Sequence, residues 1–304
     1  PGSFLLLRAA ESSGADSGTE ERQLLSVVLL HGWLQSSDAW LGLAQHLRDR
    51  RCDVLLLDFY AHGRSPNLPE TQMHSVSALA SQVERAVDHV GWTGRRLVIG
   101  GMSLGASVAL RYAARRPELV AGLLLVAPSG MPEPLVSLAR AGSAVAKALL
   151  GAKDLPPSAP LAPQVAAAAP ASAPASKAKV AISTAPGQAA NGEVVEWRPR
   201  PTPGLEALAK RWLARLNFIK RTPQYDVSEA DFEAARSSQW PVTVVVGRYD
   251  VVHTPHVQAW RRKVPQARVL MTGATHWWIC SCVDALGLED DPLWDRARSS
   301  LALP

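Results

Sequence analysis

The stretch "VIGGMSLGASVAL" (98–110) passes from an apolar start to a serine set between glycines, then into small residues. It reads as a strand over 97–100, a sharp turn, and a helix over 104–115. Ser103 falls on the turn, with Gly101 two residues before it and Gly105 two after. A serine so placed is forced into a strained backbone conformation that lifts its hydroxyl above the sheet. It also lies at a helix N-terminus, where N–H groups face developing negative charge. The positions two residues to either side are crowded together, so both must lack side chains. A lone G-x-S-x-G says little, but one placed strand–turn–helix points to a nucleophile.

The same rhythm extends outward. Apolar runs stand at 24–30 ("LLSVVLL"), 53–59 ("DVLLLDF"), 95–101, 121–128 ("AGLLLVAP"), 241–247 ("PVTVVVG") and 267–273 ("ARVLMTG"). Hydrophobicity that is continuous rather than alternating marks strands covered on both faces. Helical patterns fill 40–50, 76–90, 104–116 and 255–264 between them. The alternation predicts an α/β fold with a doubly wound, mostly parallel sheet. Ligands of such sheets bind outside the carboxyl ends of the strands.

A chain of 304 residues that is 47% hydrophobic can build one large domain with room for an insertion. The formal charge of +5 is spread among interspersed acids, a pattern that argues against a nucleic-acid partner. No run reaches the eighteen or so apolar residues of a membrane span. Three cysteines make no disulfide framework, and no cluster has metal-ligand spacing, so neither metal nor cofactor is expected. The "CSC" at 280–282 reads as structural. The opening "PGS" reads as a cloning scar with any targeting segment trimmed away, so its absence says little about compartment; the compartment is left unknown, with a soluble chain of the cytosol or an organelle matrix, plastid included, as the expectation.

The β-α rhythm stops between 135 and 235, which the sequence assigns to an inserted cap. The core is then 1–134 and 236–304. Residues 155–190 are mostly alanine, proline and serine and are expected to lack structure. Residues 205–221 form an amphipathic basic helix, either a cap element with a solvated face or a weak contact for an anionic membrane surface. Nothing in the pattern speaks to oligomeric state.

A serine nucleophile needs a base, and the base an orienting acid. On this architecture they follow in the order Ser, acid, His. Asp250 stands just past the strand at 241–247, and His276 lies in a loop just past the strand at 267–273. Glu133 is the rival acid. His253 and His256 come too early for the base, and His46 and His89 sit on helices at surface positions by pattern. A histidine base works only when neutral, so turnover should rise with pH through its ionisation. The oxyanion needs donors: the N–H of Leu104, next after the serine, and that of Trp33 in "HGW" after the first strand. His31 braces that loop. Trp33, Trp277 and Trp278 read equally as the lining of an acyl pocket and as packing under a cap.

His31-Gly32, "DFYAHGRS" (58–65), Ser103, Asp250 and His276 together resemble the α/β-hydrolase superfamily over 1–134 and 236–304. The resemblance implies Ser103 as nucleophile, His276 as base, Asp250 as its orienter, and Trp33 and Leu104 as oxyanion donors. Its closest flavour is the esterase and lipase-like branch with a cap, acting on a small-molecule ester or lipid. Thioester and carbon–carbon-bond hydrolysis remain alternatives within the fold, and so does a non-catalytic ligand-binding member. The chain departs from the family at Ala61, where glycine is usual, and at Thr275, where glycine usually precedes the histidine.

Overall fold

The computed structural model describes residues 2–9, 24–66, 75–129, 181–183, 227–250 and 257–301. Its strands in chain order are β1 (Phe4–Leu7), β2 (Leu25–Leu30), β3 (Cys52–Leu57), β4 (Leu97–Met102), β5 (Val120–Val126), β6 (Ala181–Ser183), β7 (Val242–Gly247) and β8 (Arg268–Thr272). They form one sheet in the order β6-β1-β3-β2-β4-β5-β7-β8. From β3 to β8 every pairing is parallel, while β1 runs antiparallel to both β3 and β6.

The interior strands behave as their apolar runs require. Every residue of β2, β3, β4, β5 and β7 is buried. Only a sheet covered on both sides can do this. Helices α2 (Val76–His89), α3 (Leu104–Arg115), α4 (Glu229–Ser237) and α5 (Val257–Lys263) cover one face. There they pack Val83, Val108, Phe232 and Trp260 against Val28, Leu30, Leu55 and Ile99. Helices α1 (Leu41–Asp49), α6 (His276–Ser281) and α7 (Leu293–Leu301) cover the other, where Leu43, Ile279 and Trp294 share a core with Val27, Leu29, Val54 and Val245. Each fully buried aliphatic side chain contributes about 1.5–3 kcal/mol relative to exposure. Strand β8, at the sheet's edge, is only half covered.

Near the start of the chain, Ser3 N–H donates to Ser65 Oγ at 2.8 Å, and its carbonyl accepts from Asp58 N–H at 3.0 Å. The structure departs from the sequence reading in three places. Residues 181–183, inside the stretch expected to lack structure, form β6, because "AIS" finds the open edge of β1. Helix α4, assigned in part to the cap, belongs to the core. Phe232 and Ala235 are buried there, and Asp231 makes a two-pronged pair with Arg111 of α3 at 2.7 and 2.9 Å. The core therefore reaches back at least to Val227, not to 236. Finally, His276 opens a helix rather than lying in a loop, with Thr275 capping it by accepting from Trp278 N–H at 3.3 Å. The remainder of the expected cap, including the basic helix at 205–221, lies outside the described residues.

Candidate active site

Ser103 stands between the end of β4 and the start of α3 with φ +52° and ψ −115°. The bend brings strand and helix so close that a Cβ on Gly101 would lie 2.1 Å from the Gly105 carbonyl oxygen. A Cβ on Gly105 would lie 2.3 Å from the carbonyl oxygen of Leu30 in β2. Neither obstacle is a side chain that can move aside, so both positions require glycine. The strained residue is pinned at both ends. Its N–H donates to the Val126 carbonyl at 2.9 Å, and its carbonyl accepts from Ala106 N–H at 3.0 Å.

Asp250 follows β7 and His276 follows β8, so both reach the rim on which β4 ends. His276 Nδ1 lies 2.8 Å from Asp250 Oδ2, and His276 Nε2 lies 3.2 Å from Ser103 Oγ. Asp250 is buried, which keeps water from competing for its carboxylate. An ionised carboxylate can only accept, so it holds the imidazole as the Nδ1–H tautomer. Nε2 is then left to accept from the serine hydroxyl. The three residues thus form one hydrogen-bonded chain from a buried anion to a half-buried hydroxyl.

The loop after β2 passes the serine closely. A Cβ on Gly32 would lie 3.4 Å from Ser103 Cβ. His31 is fully buried beneath this loop and braces it: Nε2 accepts from Phe59 N–H at 3.0 Å, and Nδ1 donates to the Gly32 carbonyl at 2.7 Å. Asp58, first in "DFYAHGRS", accepts from Ser37 N–H at 2.7 Å and Arg64 N–H at 2.8 Å, which ties the loop after β3 to the one after β2. Ala61 adopts φ +62°, the left-handed conformation that explains the family's glycine there. Leu104 N–H, in the first turn of α3, and Trp33 N–H have no hydrogen-bond acceptor among the described residues.

The other candidates separate. Trp33 is half-buried and packs on the core, with its indole Nε1 buried and unpartnered among the described residues. Trp278 is 44% exposed and borders a groove of about 400 Å³ together with Tyr249, Thr272, Gly273 and Leu286. Neither Ser103 nor Trp33 lines that groove. Trp277 lies on α6. His46 and His89 are exposed, as their helical positions suggested. Glu133, His253 and His256 lie outside the described residues.

Two neighbours of the site take positions the sequence did not assign to them: Cys280 reads there only as structural, and Gln35 is not singled out at all. Cys280 sits one helical turn after His276, with Sγ 3.8 Å from His276 Nε2. Burial, with a smaller push from the Asp250 charge, raises its thiol to about 12. The i, i+4 spacing would have revealed it had α6 been read as a helix. Gln35 bonds Gly32 N–H and the Cys280 carbonyl, a pairing with no local signature.

A family model described as alpha/beta hydrolase fold matches residues 26–279. Over 104 residues the chain is 38% identical to a pimeloyl-[acyl-carrier protein] methyl ester esterase of Chromobacterium violaceum, covering 34% of this chain and 37% of that protein. Over 112 residues it is 27% identical to monoacylglycerol lipase abhd6-B of Xenopus laevis, covering 37% of this chain and 33% of that protein. The matched stretch thus spans about a third of the length of these relatives. Among solved structures, a putative lipase from Acinetobacter baumannii superposes with a TM-score of 0.59 at 16% identity, over 98% of this chain and 89% of that one. A thermophilic esterase from Thermogutta terrifontis gives 0.56 at 16% identity, over 97% and 93%. At such identities the likeness speaks for the fold.

Proposed function

The chain belongs to the α/β hydrolase fold family, and from that premise we propose that it hydrolyses carboxylic esters through an acyl-enzyme on Ser103. The observation that carries the proposal is the unbroken hydrogen-bonded chain Asp250–His276–Ser103 ending on a strained serine at a helix N-terminus. His276 Nε2 takes the hydroxyl proton as Oγ bonds to the ester carbonyl carbon, and the C=O pair moves onto oxygen. Asp250 stabilises the imidazolium without taking its proton. The oxyanion is met by the N–H groups of Leu104 and Trp33, each such donor worth roughly 10²–10³ in rate. Collapse expels the alkoxide, which leaves as the alcohol with the proton from His276. Water then repeats the sequence with His276 as base, releasing the acid and restoring Ser103.

Acyl or lipid-like esters are the proposed substrates. The half-buried Trp33 beside Gly32 supports this, as do the esterase and lipase names of the relatives. A buried CH₂ adds about 0.8 kcal/mol, nearly fourfold in binding per carbon until the pocket is full. Two experiments test the proposal. A fluorophosphonate should label Ser103 and not a Ser103→Ala variant. On p-nitrophenyl esters, kcat/KM should climb from acetyl to at least butyryl. Absent labelling refutes the nucleophile; a steady fall with each added carbon refutes the substrate class.

A further inference from the structure

The loop after β2 and the helix bearing His276 come from opposite ends of the chain, and one side chain joins them. Gln35 Oε1 accepts from Gly32 N–H at 3.0 Å. Gln35 Nε2 donates to the carbonyl oxygen of Cys280, 245 residues further along the chain. The Gln35 backbone N–H returns to the Gly32 carbonyl at 3.3 Å, the same oxygen that His31 Nδ1 reaches. Gly32 is therefore held at both its N–H and its C=O. A Cβ there would lie 2.5 Å from Gln35 Oε1 and 3.3 Å from the Met102 carbonyl oxygen, so the amide occupies the space that glycine leaves open.

The two bonds act on the two groups the chemistry must hold in register. With Gly32 N–H engaged by Gln35, the next N–H in the loop, that of Trp33, is left to face a ligand at Ser103. At the other end, the Cys280 carbonyl belongs to the turn of α6 that follows His276, and Cys280 Sγ touches the His276 ring. Fixing that backbone fixes the direction from which the ring approaches the serine. We propose that Gln35 is a positioning residue: its amide clamps the donor loop to the helix carrying the base, so that oxyanion donor and proton acceptor keep one geometry through the reaction. The proposal rests on the reading of Ser103 and His276 given above.

Gln35→Met preserves length and removes both side-chain bonds. Gln35→Glu retains an acceptor for Gly32 N–H but loses the donor to Cys280. Two measurements on the full chain read the clamp: kcat and KM for p-nitrophenyl butyrate across pH, and amide hydrogen exchange in peptides covering 31–36 and 276–281. Gln35→Met should speed exchange in both segments and lower kcat by about tenfold to a hundredfold, with KM moving less than about threefold. Gln35→Glu should speed exchange in 276–281 while sparing 31–36. Its added anion should also move the acid limb of kcat/KM to higher pH, because it favours the protonated imidazole. Unchanged exchange in 276–281 for both variants overturns the clamp, as does unchanged kcat for Gln35→Met. Exchange responding as expected in a protein that turns over no ester upholds the clamp and overturns the ester reading instead.

Discussion

Replacing Ser103 by alanine and, separately, by glycine isolates the energy stored at the bend. Both variants lose the hydroxyl and its 3.2 Å contact with His276, so the lost hydrogen bond cancels between them. What differs is the Cβ, which alanine keeps at φ +52° and ψ −115°. A non-glycine residue in such a sparsely populated region costs about 1–3 kcal/mol. Glycine surrenders about 0.5–1 kcal/mol more chain entropy than alanine on folding. The site is half-exposed, so the missing methyl removes little packing. The balance favours the glycine variant by about 1 kcal/mol, or about 2–4 °C in melting temperature for a domain of this size. Paired calorimetric scans read the difference directly. Ester turnover should be at least ~10³-fold down in both variants. A glycine variant melting at or below the alanine variant would refute the claim that the fold holds this residue under strain.

Asp250→Asn should lower kcat by about 10⁴-fold with little change in KM, because the amide can donate to Nδ1 and so favours the wrong tautomer; steady-state kinetics on a p-nitrophenyl ester measures it. Ala61→Gly should raise the melting temperature, since alanine at φ +62° costs about 1–2 kcal/mol, of which glycine's entropy returns only part. A lower melting point would mean that this loop gains from the methyl. Burial raises Cys52 to about 11 and Cys280 to about 12, so at pH 8 only ~1 in 10³ and ~1 in 10⁴ of them are thiolate. A dithiobis(nitrobenzoate) assay should therefore show Cys282, which is partly exposed, reacting first and the other two released by denaturant. The same shifts mean that the native state holds protons that the unfolded thiols release. Their contribution to stability is intact below the free-thiol value of 9.0 and is lost as pH climbs toward about 11 and 12, which urea titrations at pH 8 and pH 10 would reveal.

The strands from β2 to β5, and β7, were legible because burial on both faces leaves an unbroken apolar run, which few other environments demand; β8, only half covered, was legible from Val269, Leu270 and Met271 alone. Ser103 was legible for a different reason: its two glycines answer steric demands a few residues away, so the cause lies inside the motif. Elements whose apolar face is short were missed. In α4 the burial falls on Phe232, Ala235 and the paired Asp231, too few positions to show a helical period. Strand β1 is four residues long, and α6 has six. Its first residue is the proposed base, so the histidine was found while the helix under it was not. Gln35 is the limiting case. Its role depends on a carbonyl oxygen, which every residue possesses, and no side chain in the sequence could have pointed to it.

The sheet order also sets a schedule. Ser103 and its bend are complete once β5 brings the Val126 carbonyl to the Ser103 N–H, whereas His276, the proposed base, lies 173 residues beyond the serine. At about 5–20 residues per second of synthesis, a growing chain carries a finished bend and no base for roughly 10–30 s. On the proposed mechanism, the hydroxyl would be an ordinary alcohol throughout that interval. The two halves meet when β7 aligns with β5, Leu123 opposite Val242 and Val126 opposite Val245. Asp250 lies three residues past the end of β7, and the pairing of β8 with β7 brings His276 to the same rim. On the proposed mechanism, reactivity then waits for β7 and β8, the last strands among the described residues. Ester turnover by a nascent or split chain would report, almost as a clock does, the moment the far end of the sheet has closed.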